Sequence, residues 1–321
     1  MKYKPILIVA GEPKSIFFEI FFKSIKRNKF QSPLILIASK EIVFSQMKRF
    51  RYSKKINLID KENLNKFFLN NKSLNLIDVS CKDFNNSKFY IKNCFNIFFK
   101  IIKSGFTDKF INGPIDKSKF LDKKFYGITE YIAKKFNSKK IAMLIYNKEL
   151  SVCPITTHVP LKLVNKSITK KTIEEKVKLI NNFYKKNFGF TPKLAITGLN
   201  PHCESILKFN EDQKIIKPTV KSLIKKGFKI KGPFAADTIF LKQNRLNYDV
   251  IIGMYHDQVL TPIKTINEYN AVNITLGLPF YRLSPDHGPN KKMLNKNLSN
   301  PLSLIQSIKF LDKRWLKQKK V

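Results

Sequence analysis

The chain reads as an α/β protein divided into two lobes. Three observations predict this. Apolar runs of strand length, at 5–10, 34–38, 193–197 and 248–254, alternate with segments whose Phe and Ile recur at helical spacing, the pattern of a parallel layer with helical crossovers. The 321 residues can bury a substantial core, and chains of this length commonly divide. A hydrophobic fraction of 43% with 28 Phe excludes a disordered chain, in spite of a formal net charge of +38.

Taken in order, 5–10 reads as a buried first strand rather than a signal core, because Gly11-Glu12-Pro13 cuts it short. The segment 16–25 is helical, 34–38 is a second strand, and 56–59 is a candidate third. An aromatic-rich amphipathic helix follows at 86–103. Phe110-Ile111 runs into the turn-rich Asn112-Gly113-Pro114-Ile115-Asp116-Lys117, and 128–136 is helical. Strands are predicted at 141–146 and 150–155, the latter ending in Thr156-Thr157-His158. A charged helix over roughly 172–188 opens on a Thr cap with acidic residues in its first turn. The strand 193–197 leads to Gly198-Leu199-Asn200-Pro201-His202, and 218–226 is helical with its proline at a tolerated first-turn position. Gly232-Pro233 begins a loop that contains Asp237. The strand 248–254 then delivers His256, and a terminal helix covers 301–316.

The pI near 10 raises the question of nucleic acid or an anionic membrane. Six of the 61 basic residues are Arg and 55 are Lys, spread along the whole chain. Base readout and phosphate forks favour Arg, so this composition argues against specific nucleic-acid binding. No run approaches a membrane span. The four widely spaced cysteines contain no CxxC, which suggests a reduced, cytoplasmic setting.

Three strand-loop junctions each end in a histidine: His158, His202 and His256. Any one of them could be a helix cap or a loop donor. Three of only four histidines in one structural context suit a facial metal site with open positions for substrate and water. Asp257 follows His256, and Asp237 lies in a similar loop; either could orient an imidazole, move a proton or merely make an Asx-turn. Lys264, Asn273 and Arg282, placed in a loop and a short extended segment, together suit a phosphate or carboxylate. GxGxxG, Walker, GxSxG and HExxH motifs are all missing, so a nicotinamide cofactor would need an architecture other than a Rossmann domain.

Taken together, Gly11-Glu12-Pro13, Gly113 to Lys117, 127–130, Thr156 to Leu161, Gly198 to His202, Ala236-Asp237-Thr238, Met254 to Gln258, 271–280 and Asp286-His287-Gly288 resemble the 4-hydroxythreonine-4-phosphate dehydrogenase family of vitamin B6 synthesis. The motifs keep one order over nearly the whole chain. The resemblance implies a two-lobed α/β/α fold like that of isocitrate and isopropylmalate dehydrogenases. It places 1–125 with 271–321 in the first lobe and 126–270, with the dimer interface, in the second. It also implies a homodimer whose active site is shared across the interface. In this reading His158, His202 and His256 hold a divalent cation such as Zn, Mg or Co, shared across the dimer. Thr129, Lys264, Asn273 and Arg282 contact a small phosphorylated substrate. NAD takes hydride from the secondary hydroxyl of 4-phosphooxy-L-threonine, and loss of CO2 gives 3-amino-2-oxopropyl phosphate. Asp257, Asp237 and Lys264 are the candidates for proton transfer, unranked.

Three departures bear on that expectation. Ile128 stands where the family has a histidine, and the family's glycine-rich continuations are replaced by Lys14 to Phe18 and by Cys203 to Leu207. The lost polar contact at 128 keeps open a sibling activity on a phosphorylated threonate or erythronate. A basic binding protein on a decayed enzyme scaffold is the alternative from another class. His287, beside Gly288, reads as part of a structural turn.

Overall fold

The computed structural model describes residues 3–83, 86–116, 120–121, 125, 127–204, 209–285 and 288–312. Lys117, Ser205 to Leu207, Asp286, His287 and the end of the predicted terminal helix lie outside the described residues. The chain forms two compact units, one of residues 1–136 with 279–314, the other of residues 137–278.

Strands β1 (Ile6–Val9), β2 (Leu34–Ala38), β3 (Ile56–Leu58), β4 (Leu74–Asp78), β5 (Lys109–Asn112) and β12 (Tyr281–Pro285) form the sheet of unit 1. Their order is β3-β4-β2-β1-β5-β12, and every pairing is parallel. All four residues of β1 are fully buried, as expected of an unbroken Ile-Leu-Ile-Val run with covered faces on both sides. The helices are α1 (Phe17–Arg27), α2 (Lys40–Arg49), α3 (Lys88–Lys103), α4 (Ile128–Lys135) and α11 (Leu302–Asp312). Helix α3 packs on β1 and β2, while α11 packs on β1, β5, β12 and α1.

The abundance of Phe is explained by this packing. Phe98 of α3 is fully buried, its ring stacked 3.6 Å from that of Phe110 on β5 and edge-on to Phe95. Truncating it removes a large apolar side chain and leaves a cavity. Phe98→Ala is therefore expected to lower stability by about 3–5 kcal/mol, read from denaturant unfolding. A loss below about 1 kcal/mol would mean that the aromatic cluster closes over the gap.

Unit 2 holds β6 (Ala142–Tyr146), β7 (Ser151–Pro154), β8 (Leu194–Thr197), β9 (Ile230–Phe234), β10 (Val250–Gly253) and β11 (Val272–Leu276). The order is β11-β6-β7-β10-β8-β9. The last four strands are mutually parallel, but β6 runs antiparallel to both β7 and β11, so the wholly parallel layer expected from the sequence is mixed here. The cause lies in the link between β6 and β7, which is too short for a helical crossover. Asn147 closes it, its side-chain oxygen accepting from the Glu149 N–H at 2.9 Å. Gly232-Pro233, read as the start of a loop, lies within β9, and Asp237, placed in that loop, lies on the short helix Ala236–Ile239.

The helices of unit 2 are α5 (Leu161–Ser167), α6 (Lys170–Phe188), α7 (Lys217–Lys225), α8 (Ala236–Ile239), α9 (Lys242–Arg245) and α10 (His256–Asn267). Helix α6 begins two residues before the predicted start. Thr169 and Thr172 form a reciprocal capping box, and Gly189 ends the helix in the left-handed conformation. Its first turn carries no acid; Glu174 and Glu175 fall in the second. The units divide at 136/137 and 278/279, not at 125/126 and 270/271. Five residues of β11 pair with β6, which assigns Asn273 to unit 2, whereas Thr129 on α4 belongs to unit 1. All four cysteines are buried and free. Among the described residues, no helix is long and apolar enough to cross a membrane.

Candidate active site

The three histidines follow three neighbouring parallel strands of unit 2. In register, Pro154 of β7 lies beside Gly253 of β10, and Ile252 of β10 beside Ile196 of β8. The carboxyl ends of these strands therefore face one way, the end where open α/β sheets bind ligands. His158 lies in the turn beyond β7, His256 opens α10 beyond β10, and His202 sits in a short 3-10 turn, Pro201–Cys203, beyond β8.

Hydrogen bonds between the strand ends tie these segments together. The N–H and hydroxyl of Thr156 donate to the Met254 carbonyl at 3.2 and 2.8 Å, joining the His158 turn to the His256 segment. Gln258 joins the His256 segment to β8. Its Nε2 donates to the Gly198 carbonyl at 2.8 Å, while its Oε1 accepts from the Met254 N–H at 2.7 Å and the Thr197 hydroxyl at 2.8 Å.

Asp212 holds the turn that carries His202. Fully buried at the start of a π-turn (Asp212–Ile216), it accepts from the Leu199 N–H at 2.7 Å, the Asn200 N–H at 3.1 Å and Asn200 Nδ2 at 2.8 Å. Gly198 makes room for it, since a Cβ there would stand 2.6 Å from Asp212 Oδ1 and 2.7 Å from Cys203 Sγ. His202 and Cys203 both take left-handed backbone angles, φ 55° and 62°. Non-glycine residues adopt this conformation at a cost and only where the surroundings impose it, as at many functional sites. Burial raises the Cys203 pKa, with smaller contributions from Asp212 and Asp237, so the thiol is held protonated. Asp237 is an exposed carboxylate on α8.

His158 and His256 approach to 6.0 Å between ring centroids. Asp257 Oδ1 lies 2.6 Å from His256 Nδ1; an ionised carboxylate can only accept, so Nδ1 carries the proton and Nε2 remains available to a ligand. A carboxylate behind a histidine is a common arrangement at metal centres. The donor chemistry therefore fits a divalent cation held first by His158 and His256. Among the described residues, no three His, Cys, Asp or Glu side chains stand close enough together to hold an ion, so the structure does not gather His202 into that pair.

The predicted substrate contacts fall into two groups. In unit 1, Arg282 on β12 is 3% exposed, its Nε donating to Asn112 Oδ1 at 2.8 Å and its Nη1 to the Thr129 hydroxyl at 2.9 Å. Burial lowers its pKa to about 10, and the nearby charge of Glu130 opposes that shift, so the guanidinium stays charged at neutral pH. Thr129 and Arg282 are thus brought into direct contact. In unit 2, Asn273 on β11 has a buried Oδ1 without a hydrogen-bond partner among the described residues, a costly state that an incoming donor would relieve. Lys264 is exposed on α10, not in a loop, and lies eight residues after His256, about 12 Å along the axis. The first strand-helix turn does not suit a dinucleotide phosphate, because Glu12 is buried there and accepts from the Ser87 hydroxyl at 2.8 Å. A cavity of about 370 Å³ in unit 1, between Ser80 and Asn93, includes none of the predicted site residues.

Sequence reasoning missed Asn112, Thr156, Asp212 and Gln258. Gln258 and Thr156 stood beside the histidine motifs and could have been flagged by that adjacency. Asp212 had no such signal, since its segment carries no motif.

Comparison with known proteins gives one consistent picture. The family described as "Pyridoxal phosphate biosynthetic protein PdxA" matches residues 29–311. A curated 4-hydroxythreonine-4-phosphate dehydrogenase from Sulfurihydrogenibium sp. is 36% identical, over 94% of this chain and 96% of that protein. Another, from Ruegeria sp., is 36% identical over 65% of this chain and 66% of its own length. Among solved structures, a 4-hydroxythreonine-4-phosphate dehydrogenase from Klebsiella pneumoniae superposes with a TM-score of 0.80 at 25% identity, covering 96% of this chain and 98% of that one. A beta-decarboxylating dehydrogenase from Thermococcus kodakarensis, at 9% identity and a TM-score of 0.52 over 96% of this chain and 82% of that one, shares the fold alone. The fold is thus the isocitrate and isopropylmalate dehydrogenase-like α/β architecture, not a Rossmann domain, and the chain belongs to the family of the pyridoxal phosphate biosynthetic protein PdxA.

Proposed function

We propose that the chain is an NAD-dependent 4-hydroxythreonine-4-phosphate dehydrogenase. It would oxidise and decarboxylate 4-phosphooxy-L-threonine to 3-amino-2-oxopropyl phosphate, acting in the cytoplasm as a homodimer with a shared active site. The observation that carries this reading is the placement of His158, His256 and His202 after three neighbouring parallel strand ends, tied together through Thr156, Met254 and Gln258.

In this reading His158, His202 and His256 supply the ligands of a divalent cation, Zn, Mg or Co, shared across the dimer, since the three are not gathered around one ion among the described residues of one chain. When bound, the cation supplies Lewis acidity that favours ionisation of the substrate hydroxyl and polarises the carbonyl that replaces it. Asp257 keeps the proton on His256 Nδ1 and so directs Nε2 outward. Arg282, braced by Asn112 and Thr129, takes an anionic group of the substrate, and Asn273 Oδ1 accepts from a substrate donor. Asp237 and Lys264 are the candidates for proton transfer, with Asp257 committed to orientation. NAD is the hydride acceptor. Because imidazoles bind metal only when neutral, cation binding weakens in acid.

The buried Ile128, at 6% exposure, supports a second reading. It offers no polar contact where the family carries a histidine, so a phosphorylated threonate or erythronate remains a rival substrate.

The test is NADH formation by purified protein with NAD and a divalent cation, using each candidate substrate in turn. Turnover of 4-phosphooxy-L-threonine is expected, and His256→Ala should reduce it by about 100-fold or more, the loss of a metal ligand costing at least as much as loss of its outer partner. Turnover of the threonate or erythronate phosphate alone would favour the sibling enzyme. Failure with every substrate would refute the dehydrogenase reading.

A further inference from the structure

Arg282 is held on the unit 1 sheet by two elements at once. On β12 it lies in register with Phe110 of β5, and Asn112, the last residue of β5, shares that face of the sheet nearer the carboxyl ends. Asn112 Oδ1 accepts from Arg282 Nε at 2.8 Å, and the Thr129 hydroxyl on α4 accepts from Nη1 at 2.9 Å. Bonds to two different nitrogens fix the plane of a rigid fork.

The amide of Asn112 is itself fixed. Its Nδ2 donates to the Gly113 carbonyl at 3.0 Å, so that Oδ1, and not the amino group, faces the guanidinium. Gly113 has no freedom to shift. Its N–H donates to the Val9 carbonyl at 2.7 Å, and a Cβ on it would stand 2.1 Å from the Ala10 carbonyl oxygen and 2.7 Å from the Phe17 ring. The end of β1 thus holds Gly113, Gly113 holds the Asn112 amide, and the amide holds Arg282.

Charge explains why an amide suits this position. Both acceptors named above are neutral, while the carboxylate whose charge is felt at the buried guanidinium is Glu130, in the first turn of α4. A carboxylate at 112 would have nearly the same shape and would bind Nε more strongly. Together with Glu130 it would set two negative charges beside one guanidinium and repel an incoming oxyanion. The amide supplies the geometry without the charge.

We propose that Asn112 is a positioning residue for oxyanion recognition by Arg282: it fixes the guanidinium plane and, being neutral, leaves the positive charge for a phosphate or carboxylate of the ligand. This rests on the reading above in which Arg282 takes an anionic group of the substrate. It adds what prepares the guanidinium for that anion.

The experiment titrates the purified full chain with inorganic phosphate and, separately, with acetate, followed by calorimetry; the two anions tell whether phosphate or carboxylate is read. KM and kcat for 4-phosphooxy-L-threonine are measured alongside, with NAD and a divalent cation, and thermal unfolding reports the folded fraction. Asn112→Asp keeps the shape and the acceptor for Nε but adds a charge, whereas Asn112→Ala removes the acceptor. Relative to the folded fraction, affinity for the anion that is read should fall by about 100-fold in Asn112→Asp and by about 10-fold in Asn112→Ala. KM should rise in the same order, with a smaller change in kcat. A purely structural role predicts the reverse order, because aspartate keeps the hydrogen bond that alanine loses.

The reverse order, or wild-type affinity in both variants, would overturn the proposal; the Arg282 reading would still stand if Arg282→Lys weakens anion binding. Should Asn112→Asp fail to fold, Asn112→Ala decides, and wild-type affinity in that variant overturns the proposal. A wild-type chain that binds neither anion and does not turn over the substrate would overturn the Arg282 reading and this proposal with it.

Discussion

Replacing Arg282 with lysine is expected to lower kcat/KM for the phosphorylated substrate by about 100-fold or more, roughly 3 kcal/mol of transition-state stabilisation. The guanidinium is a fork that serves Asn112 Oδ1 through Nε and the Thr129 hydroxyl through Nη1 while remaining buried and charged. An ammonium is a compact point charge on a flexible stem and cannot satisfy both partners and an anion in one plane. Stability should also fall, by about 1–3 kcal/mol, because Asn112 or Thr129 is left without its donor. Kinetics and unfolding separate the two roles. A variant with reduced stability but unchanged kcat/KM would show that Arg282 only joins β12 to its neighbours. Thr129→Val gives a milder control, removing one hydroxyl from the same contact.

Asp212→Ala is expected to cost about 1–3 kcal/mol of stability, because three N–H groups of a half-buried turn lose their fully buried acceptor. Activity should fall further than stability alone explains, since Leu199 and Asn200 lead directly into the strained His202. Asp212→Asn retains one acceptor oxygen and should lie between the alanine variant and the wild type. Denaturant unfolding gives the energy, and amide exchange at Leu199 and Asn200 gives the location. If exchange there is unchanged in the alanine variant, the turn is held by something other than Asp212.

Particular residues show how far the sequence could be read. His256 was recognisable because the apolar run before it marks a buried strand, and periodicity locates strand ends well. The same logic found His158 and His202. Lys264 was misplaced in a loop because Pro262 breaks the helical pattern in the sequence, whereas α10 carries that proline inside it. The antiparallel β6 was missed because an apolar run has no direction; the short link through Asn147 decides it. Asp212 and Asn112 were invisible for another reason. Asp212 lies on a segment without a motif, and Arg282 stands 170 residues from Asn112, so only folding shows either pair to be partners.

The sequence by itself determined the α/β class, the strands that end in histidines, and the family, because these depend on local apolar patterning and on motifs kept in order. Tertiary structure alone decided which strands are neighbours, that Thr129 and Arg282 touch, and that Gln258 and Thr156 tie the histidine segments together. The physical reason is the range of the interactions. Hydrophobic periodicity is written within a few residues, whereas a hydrogen bond between Gln258 and Gly198 joins groups 60 residues apart, and its geometry exists only once β8 and β10 lie side by side.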